Sequence, residues 1–220
     1  MSGLLVYALV DSCPRLAVRG VGAERLRLVR LAGFSAAVGE LPKPPRASLK
    51  SVRAYDAVLR RLGRRCAALL PARFGSFVED EAALRGLLAP HAAALRRALT
   101  TVRGRVQMTL RIYGPREERP LADAAGPGAR HLHRVAARIG GPPPPQLGVL
   151  RRAVEGLVRA ERTEPHAAPP LVASVYHLID RGRERSYLTA LRRAAPAIAP
   201  VRVSPSGPWP AYAFGPESLL

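Results

Sequence analysis

The chain has 220 residues, enough for one large domain or two small ones, and 48% of them are apolar, so a buried core is within reach. It carries 35 basic and 16 acidic residues, a formal net charge of +19, and only Lys43 and Lys50 are lysine. Its two cysteines, Cys13 and Cys66, form no CxxC pair and argue against a secreted disulfide scaffold, and no apolar run approaches the roughly 20 residues of a membrane-spanning helix.

The opening Met-Ser-Gly-Leu-Leu-Val-Tyr-Ala-Leu-Val has no basic flank and too short an apolar run for a signal peptide. A soluble, cytoplasmic protein is expected. The arginine excess has two readings. One is an acidic or polyanionic partner; the other is a GC-rich genome decorating solvated helix faces. The arginines are spread along the chain, which favours the second.

Leu4 to Val10 is a continuous apolar run between Gly3 and Asp11, the pattern of a buried strand. Leu26 to Leu31 alternates apolar residues with arginine, and Phe34 to Val38 follows across Gly33, so the two read as a hairpin. Leu41 to Arg46 is a stiff, proline-rich connector. Ser48 to Leu70 reads as one helix, with Ser48 or Ser51 as N-cap. Val52, Tyr55, Val58, Leu59, Leu62, Cys66 and Leu69 or Leu70 recur on one face of it, and Gly63 is a weak point rather than a break.

Pro71 closes that helix, Ala72 to Phe74 look extended, and Gly75 permits a turn with φ > 0. Glu79, Asp80 and Glu81 fall at the first turn of the next helix, where the macrodipole favours acids. Arg73, alone among apolar residues, is expected to satisfy carbonyls at the Pro71 corner or to pair with Glu79 or Asp80, while Phe74 and Phe77 fill the core. Helix is predicted over Glu79 to Leu88. It is ended or kinked at Pro90, continues from His91 to Thr100, and breaks at Gly104.

Val106, Met108, Leu110 and Ile112 alternate strictly with polar residues, a half-buried strand. A loop (114 to 128), a short helix (129 to 139) and the polyproline connector Pro142 to Pro145 come next. A helix from Leu147 to Ala160 and a loop from Thr163 to Pro170 follow. Leu171 to Ile179 is a strand, Glu184 to Ala195 a helix ended by Pro196, and Ile198 to Val203 the last strand. The tail from Ser204 to Phe214 holds the only tryptophan and is expected to pack back onto the body. The expected fold class is α+β in two domains. Residues 1–103 form a small N-terminal α/β domain and residues 104–220 a ferredoxin-like domain with helices and right-handed crossovers.

No catalytic, cofactor or metal residue emerges. There is no Walker Gly-Lys-Ser/Thr and no GxGxxG after a strand, and Gly126-Pro127-Gly128 reads as an ordinary loop. His131 and His133 sit two apart in a predicted helix and do not share a face. His177, beside Asp180, is the one histidine placed for acid–base work, and a satisfied histidine at a strand end is the better reading. Cys66 fits a helix core and Cys13 a turn. The positive charge comes without a helix–turn–helix, zinc-finger or RNA-binding aromatic pattern. A basic nucleic-acid or polyanion-binding protein therefore stands only as the alternative, nonspecific and weakened by salt.

The stretch Leu70-Pro-Ala-Arg-Phe-Gly-Ser-Phe77, followed by an acidic helix start, resembles the "LPVRFG" signature of gas vesicle accessory proteins of the GvpF/GvpL type. Gly207-Pro-Trp-Pro-Ala-Tyr-Ala-Phe214 is similar to that family's "GPWPPYSF" ending. Leu5-Val-Tyr-Ala-Leu9, the strand from Gly104 to Ile112, and Ala173 to Asp180 agree in order and spacing. The matching residues are Leu70, Pro71, Arg73, Phe74, Gly75, Gly207, Pro208, Trp209, Pro210, Tyr212 and Phe214, read as structural. The resemblance implies two α/β domains, the second a modified ferredoxin-like fold. It also implies a non-enzymatic role in gas vesicle formation, in contact with the major shell protein and other accessory proteins. No cofactor, membrane or specific nucleic acid is expected as a partner.

Overall fold

In the computed structural model, which describes residues 2–14, 16–114, 147–166 and 169–216, the run from Gly3 to Val10 is wholly buried in strand β1 (Gly3–Asp11). A strand carries an unbroken apolar run when both of its faces are covered. β1 lies inside a sheet ordered β2-β3-β1-β4, formed with β2 (Leu26–Arg30), β3 (Ser35–Leu41) and β4 (Ala68–Pro71). A two-residue strand, β5 (Phe77–Val78), also pairs with β1. All these pairings are antiparallel, and Leu9 stands between Ala36 and Leu70. The predicted hairpin is β2–β3, turning at Gly33 with φ +86°.

Helix α1 (Leu49–Gly63) buries Tyr55, Val58, Leu59 and Leu62 against β1 and β4. Its N-cap is Ser48, whose hydroxyl accepts from the Ser51 amide at 3.1 Å. Helix α2 (Glu81–Leu88) is capped by Asp80, which accepts from the Ala83 amide at 2.8 Å. A 3-10 turn at Ala89–His91 carries Pro90 and leads into α3 (Ala92–Val102), which buries Leu95, Leu99 and Val102.

The helix expected to reach Leu70 stops at Gly63, and Ala68–Pro71 is a strand instead. Cys66, Leu69 and Leu70 fit helical spacing and an apolar strand equally well. The free edge of β1 decides, because it offers Leu69 and Leu70 a ladder opposite Val10 and Leu9. This turn also brings Cys66 to Cys13, 53 residues away, with Cα atoms 4.3 Å apart, and the two form a disulfide rather than standing separately in a core and a turn.

The later strands β6 (Arg105–Tyr113), β7 (Val158–Pro165), β8 (Leu171–Asp180) and β9 (Arg202–Trp209) form a second sheet ordered β7-β8-β6-β9. With α4 (Leu147–Val154) before β7 and α5 (Glu184–Ala194) before β9, this is the ferredoxin-like order. The helix predicted over 147–160 ends at Val154, and β7 takes the last residues of that helix, from Val158, and the start of the predicted loop, Thr163–Pro165. β7 reads Val-Arg-Ala-Glu-Arg-Thr-Glu-Pro and has almost no apolar content. Pairing with β8, from Val158 opposite Ile179 to Pro165 opposite Ala173, makes it a strand. β9 runs past the predicted Val203 to Trp209, through Pro205 and Pro208, which an edge strand tolerates. Ala195–Ile198 is a 3-10 turn.

The described residues within Met1–Val106 and Trp209–Leu220 form one compact unit, and those within Gln107–Pro208 the other. The tail from Trp209, expected with the C-terminal half, thus groups with the first unit. The loop after Gly114, the helix at 129–139, His131, His133, Gly126-Pro127-Gly128 and Pro142 to Pro145 lie outside the described residues.

Candidate interaction surface on the first unit

The chain reverses sharply after β4. The Ala72 amide donates to the Tyr7 carbonyl at 2.9 Å, Gly75 adopts φ +88°, and the amide and hydroxyl of Ser76 donate to the Arg73 carbonyl at 3.1 and 2.8 Å. A side chain would be strained at Gly75, so glycine is required there. The Tyr55 hydroxyl of α1 stands 3.0 Å from the Val6 carbonyl and 3.1 Å from those of Tyr7 and Ala72. It has one proton and three acceptors within reach. Burial pushes its pKa up, so it stays protonated and keeps donating. Tyr7 stacks on it at 5.1 Å between centroids and Phe74 meets it edge-on at 5.4 Å.

Tyr55 therefore does at this corner what was expected of Arg73. Arg73 itself is exposed, and its guanidinium has no protein partner among the described residues. The carbonyls of the corner are already taken by backbone amides and the Tyr55 hydroxyl, and Asp80 is committed to its helix cap. Phe74 and Phe77 pack against the core cluster half-buried rather than filling it.

The tail lies along α1. The Tyr212 hydroxyl donates to Asp56 Oδ1 at 2.7 Å, Arg60 Nε donates to Asp56 Oδ2 at 2.7 Å, and the Arg60 guanidinium sits 4.3 Å over the Trp209 ring. Burial, then the Asp56 carboxylate, pushes the Tyr212 hydroxyl pKa up. Ala211 and Phe214 are buried, the latter in a 3-10 turn (Tyr212–Phe214) beside β4, which bears Leu70 and Pro71. The structure thus brings Trp209, Tyr212 and Phe214 to the unit that holds Leu70, Pro71, Arg73, Phe74 and Gly75. Gly207 and Pro208 lie in β9, with Pro210 just after it.

Leu49, Val52, Asp56 and Arg60 follow one another at helical spacing along a single stripe of α1. The tail occupies the stripe at Asp56 and Arg60. Leu49 and Val52 remain 67% and 44% exposed, and Tyr212 is 45% exposed. Exposed Lys50 and Arg53 flank them. The result is an apolar strip with a basic rim. Tyr55 and Asp56 were not singled out from the sequence. Tyr55 counted only as an apolar position, although a buried tyrosine always needs a partner for its hydroxyl.

Elsewhere the chemistry is internal. His177 is 1% exposed and bonds Tyr187 through Nδ1 at 2.7 Å and Glu161 through Nε2 at 3.0 Å. Arg151 grips Glu161 with Nε at 3.0 Å and Nη2 at 2.6 Å. Asp180, the expected neighbour of His177, is instead bound by Arg159 at 2.7 Å, because residues three apart on β8 point to opposite faces. An open hollow of ≈ 410 Å³ is lined by Arg27, Glu40, Glu79, Asp80 and Glu81. Its acids are largely committed: Asp80 caps α2, and Glu81 is bonded by Arg27 and Arg85. Among the described residues no three His, Cys, Asp or Glu side chains converge as metal ligands, and no helix is long and apolar enough to cross a membrane.

The family model described as "Gas vesicle synthesis protein GvpL/GvpF" matches residues 3–216. The chain belongs to the GvpL/GvpF family. Its curated relatives include gas vesicle protein L of a Streptomyces species, 28% identical over 89% of this chain and 85% of that protein. Gas vesicle protein F2 of Halobacterium salinarum is 25% identical over 97% of this chain and 92% of the other. Among solved structures, GvpF of Anabaena has a TM-score of 0.74 at 16% identity, covering 99% of this chain and 100% of that one. GvpF of Microcystis aeruginosa has a TM-score of 0.73 at 14% identity, covering 96% and 98%. Those two likenesses carry the fold, and the family match carries an accessory role in gas vesicles.

Proposed function

We propose that this GvpL/GvpF member is a non-enzymatic cytoplasmic assembly factor that holds the major gas vesicle shell protein, and meets other accessory proteins, through the α1–tail strip. The observation that carries this reading is the open half of the stripe. Leu49, Val52 and Tyr212 present apolar surface beside a tail docked by Asp56 and Arg60, and exposed Lys50 and Arg53 stand next to the open half of the stripe. Such a strip shields an aggregation-prone apolar subunit through its centre while arginine and lysine pair with carboxylates at its edge.

Co-purification of the tagged protein with the shell protein tests the reading. Association is expected at low and at physiological salt. Absence of association at both would overturn it.

A further inference from the structure

Five arginines among the described residues, Arg19 and Arg25 of the loop after Cys13 and Arg61, Arg64 and Arg65 from the end of α1, stand on one part of the first unit. The Arg61 guanidinium donates to the Arg19 carbonyl at 3.3 Å, Arg65 to the Ala17 carbonyl at 3.0 Å, and Arg19 to the Ala23 carbonyl at 2.9 Å. Arg19 and Arg25 face each other across an isolated antiparallel bridge, and Arg64 is the C-cap residue of α1. All five are exposed, and none forms an ion pair among the described residues. The nearest acid in the loop, Glu24, is turned inward, accepting from the Tyr7 hydroxyl at 2.6 Å and the Gly22 amide at 2.8 Å. Gly20 leaves room for it, since a Cβ there would come 1.8 Å from that carboxylate.

The fold spends structure on keeping these like charges together. The Cys13–Cys66 bridge ties the loop to the residue after Arg64 and Arg65, and the Tyr7 hydroxyl accepts from the Val21 amide at 2.8 Å. The dipole of α1 favours cations at its C-terminus, which accounts for Arg61, Arg64 and Arg65. It does not account for Arg19 and Arg25, which stand on the loop.

We propose that this arginine platform docks a carboxylate-rich segment of a partner protein. Arg61 lies in the last turn of α1 and Arg65 two residues past its end, and their guanidiniums anchor on the carbonyls of Arg19 and Ala17, two residues apart in the loop. An extended acidic segment places alternate side chains on one face and so presents a row of carboxylates to such a pair. Guanidinium forks held by carbonyls on one side still offer free N–H groups for bidentate carboxylate contact. A nucleic acid fits less well. Neither Cys13 to Arg25 nor Arg60 to Cys66 contains an aromatic residue on which a base could stack. The platform is also too short for a long run of phosphate contacts.

The test uses the full chain and a labelled peptide of alternating glutamate and serine, with a single-stranded oligonucleotide of equal charge as competitor, at about 0.15 M salt. Arg25→Glu with Arg64→Glu removes two platform charges whose guanidiniums anchor nothing among the described residues. Arg192→Glu with Arg193→Glu makes the same charge change on exposed positions of α5. The platform pair is expected to weaken peptide binding about tenfold relative to the α5 pair. No binding of the peptide, equal loss in the two pairs, or tighter binding of the oligonucleotide than of the peptide would overturn the proposal.

Discussion

Tyr212 and Asp56, 156 residues apart in the chain, are joined by a 2.7 Å hydrogen bond that fixes the aromatic tail to α1. The bond is charge-assisted but half-exposed, so its coupling should be about 1 kcal/mol in a cycle of Tyr212→Phe and Asp56→Ala. Trp209 is the only tryptophan, so its fluorescence reports tail docking alone. Arg60→Ala and Asp56→Ala are expected to shift its emission to the red. An unchanged spectrum in both would mean the tail is held by other contacts.

Arg73→Ala should change stability by no more than about 0.5 kcal/mol, because the guanidinium lost is exposed and has no partner among the described residues. Tyr55→Phe should cost about 1–2 kcal/mol, since three carbonyl oxygens share its hydroxyl. Urea unfolding of the two variants separates them. A larger loss for Arg73→Ala would restore the arginine to the structural role that its position in the sequence implies.

Burial lowers the pKa of His177 below its ordinary 6.5, against the pull of Glu161. The unfolded chain therefore takes up the proton first as pH falls. The stability His177 contributes is complete above about pH 6.5 and is lost progressively below it. Burial pushes Glu161 up, but hydrogen bonds from Arg151 and His177 outweigh it and hold the carboxyl below 4.5. Its contribution is present above that value and is lost at lower pH. The protection of β7 and β8 amides, taken against the intrinsic exchange rate at each pH, should fall between pH 7 and 5, and His177→Gln should flatten that dependence. Identical profiles in the two proteins would contradict it.

The Cys13–Cys66 bridge closes a loop of 53 residues in sequence separation, for which chain entropy gives a stabilisation of about 4 kcal/mol. Thiol titration in denaturant should find no free thiol without reductant and both after reduction, and reduction should lower the melting temperature. Two titratable thiols in the untreated protein would contradict the bridge.

Much of the fold could be read from the sequence where a segment's own pattern sufficed. The apolar run of β1, the strict alternation of β6, the turn at Gly33, the cap at Ser48 and the kink at Pro90 each follow from local chemistry. β4 and β7 did not, for opposite reasons. Leu69 and Leu70 are apolar enough to extend a helix, and only the open edge of β1 makes them a strand. β7 is too polar to signal burial, and its side chains find partners that lie far away in the sequence, as Glu161 does with His177 and Glu164 with Tyr176. The signature at Leu70 to Gly75 and the tail at Gly207 to Phe214 were visible as motifs. The residues that join the tail to the body, Asp56 and Arg60, looked like an ordinary solvated face of α1.

Whether the α1–tail strip holds the shell protein is tested by the affinity of that protein for the wild-type chain and for a variant carrying Leu49→Ser and Val52→Ser. Both substitutions fall on exposed positions, so the fold should keep its stability within about 0.5 kcal/mol. The shell protein is expected to bind the wild type and to bind the variant at least about tenfold more weakly. Equal affinity for the two would contradict the assignment of the α1–tail strip as the contact surface.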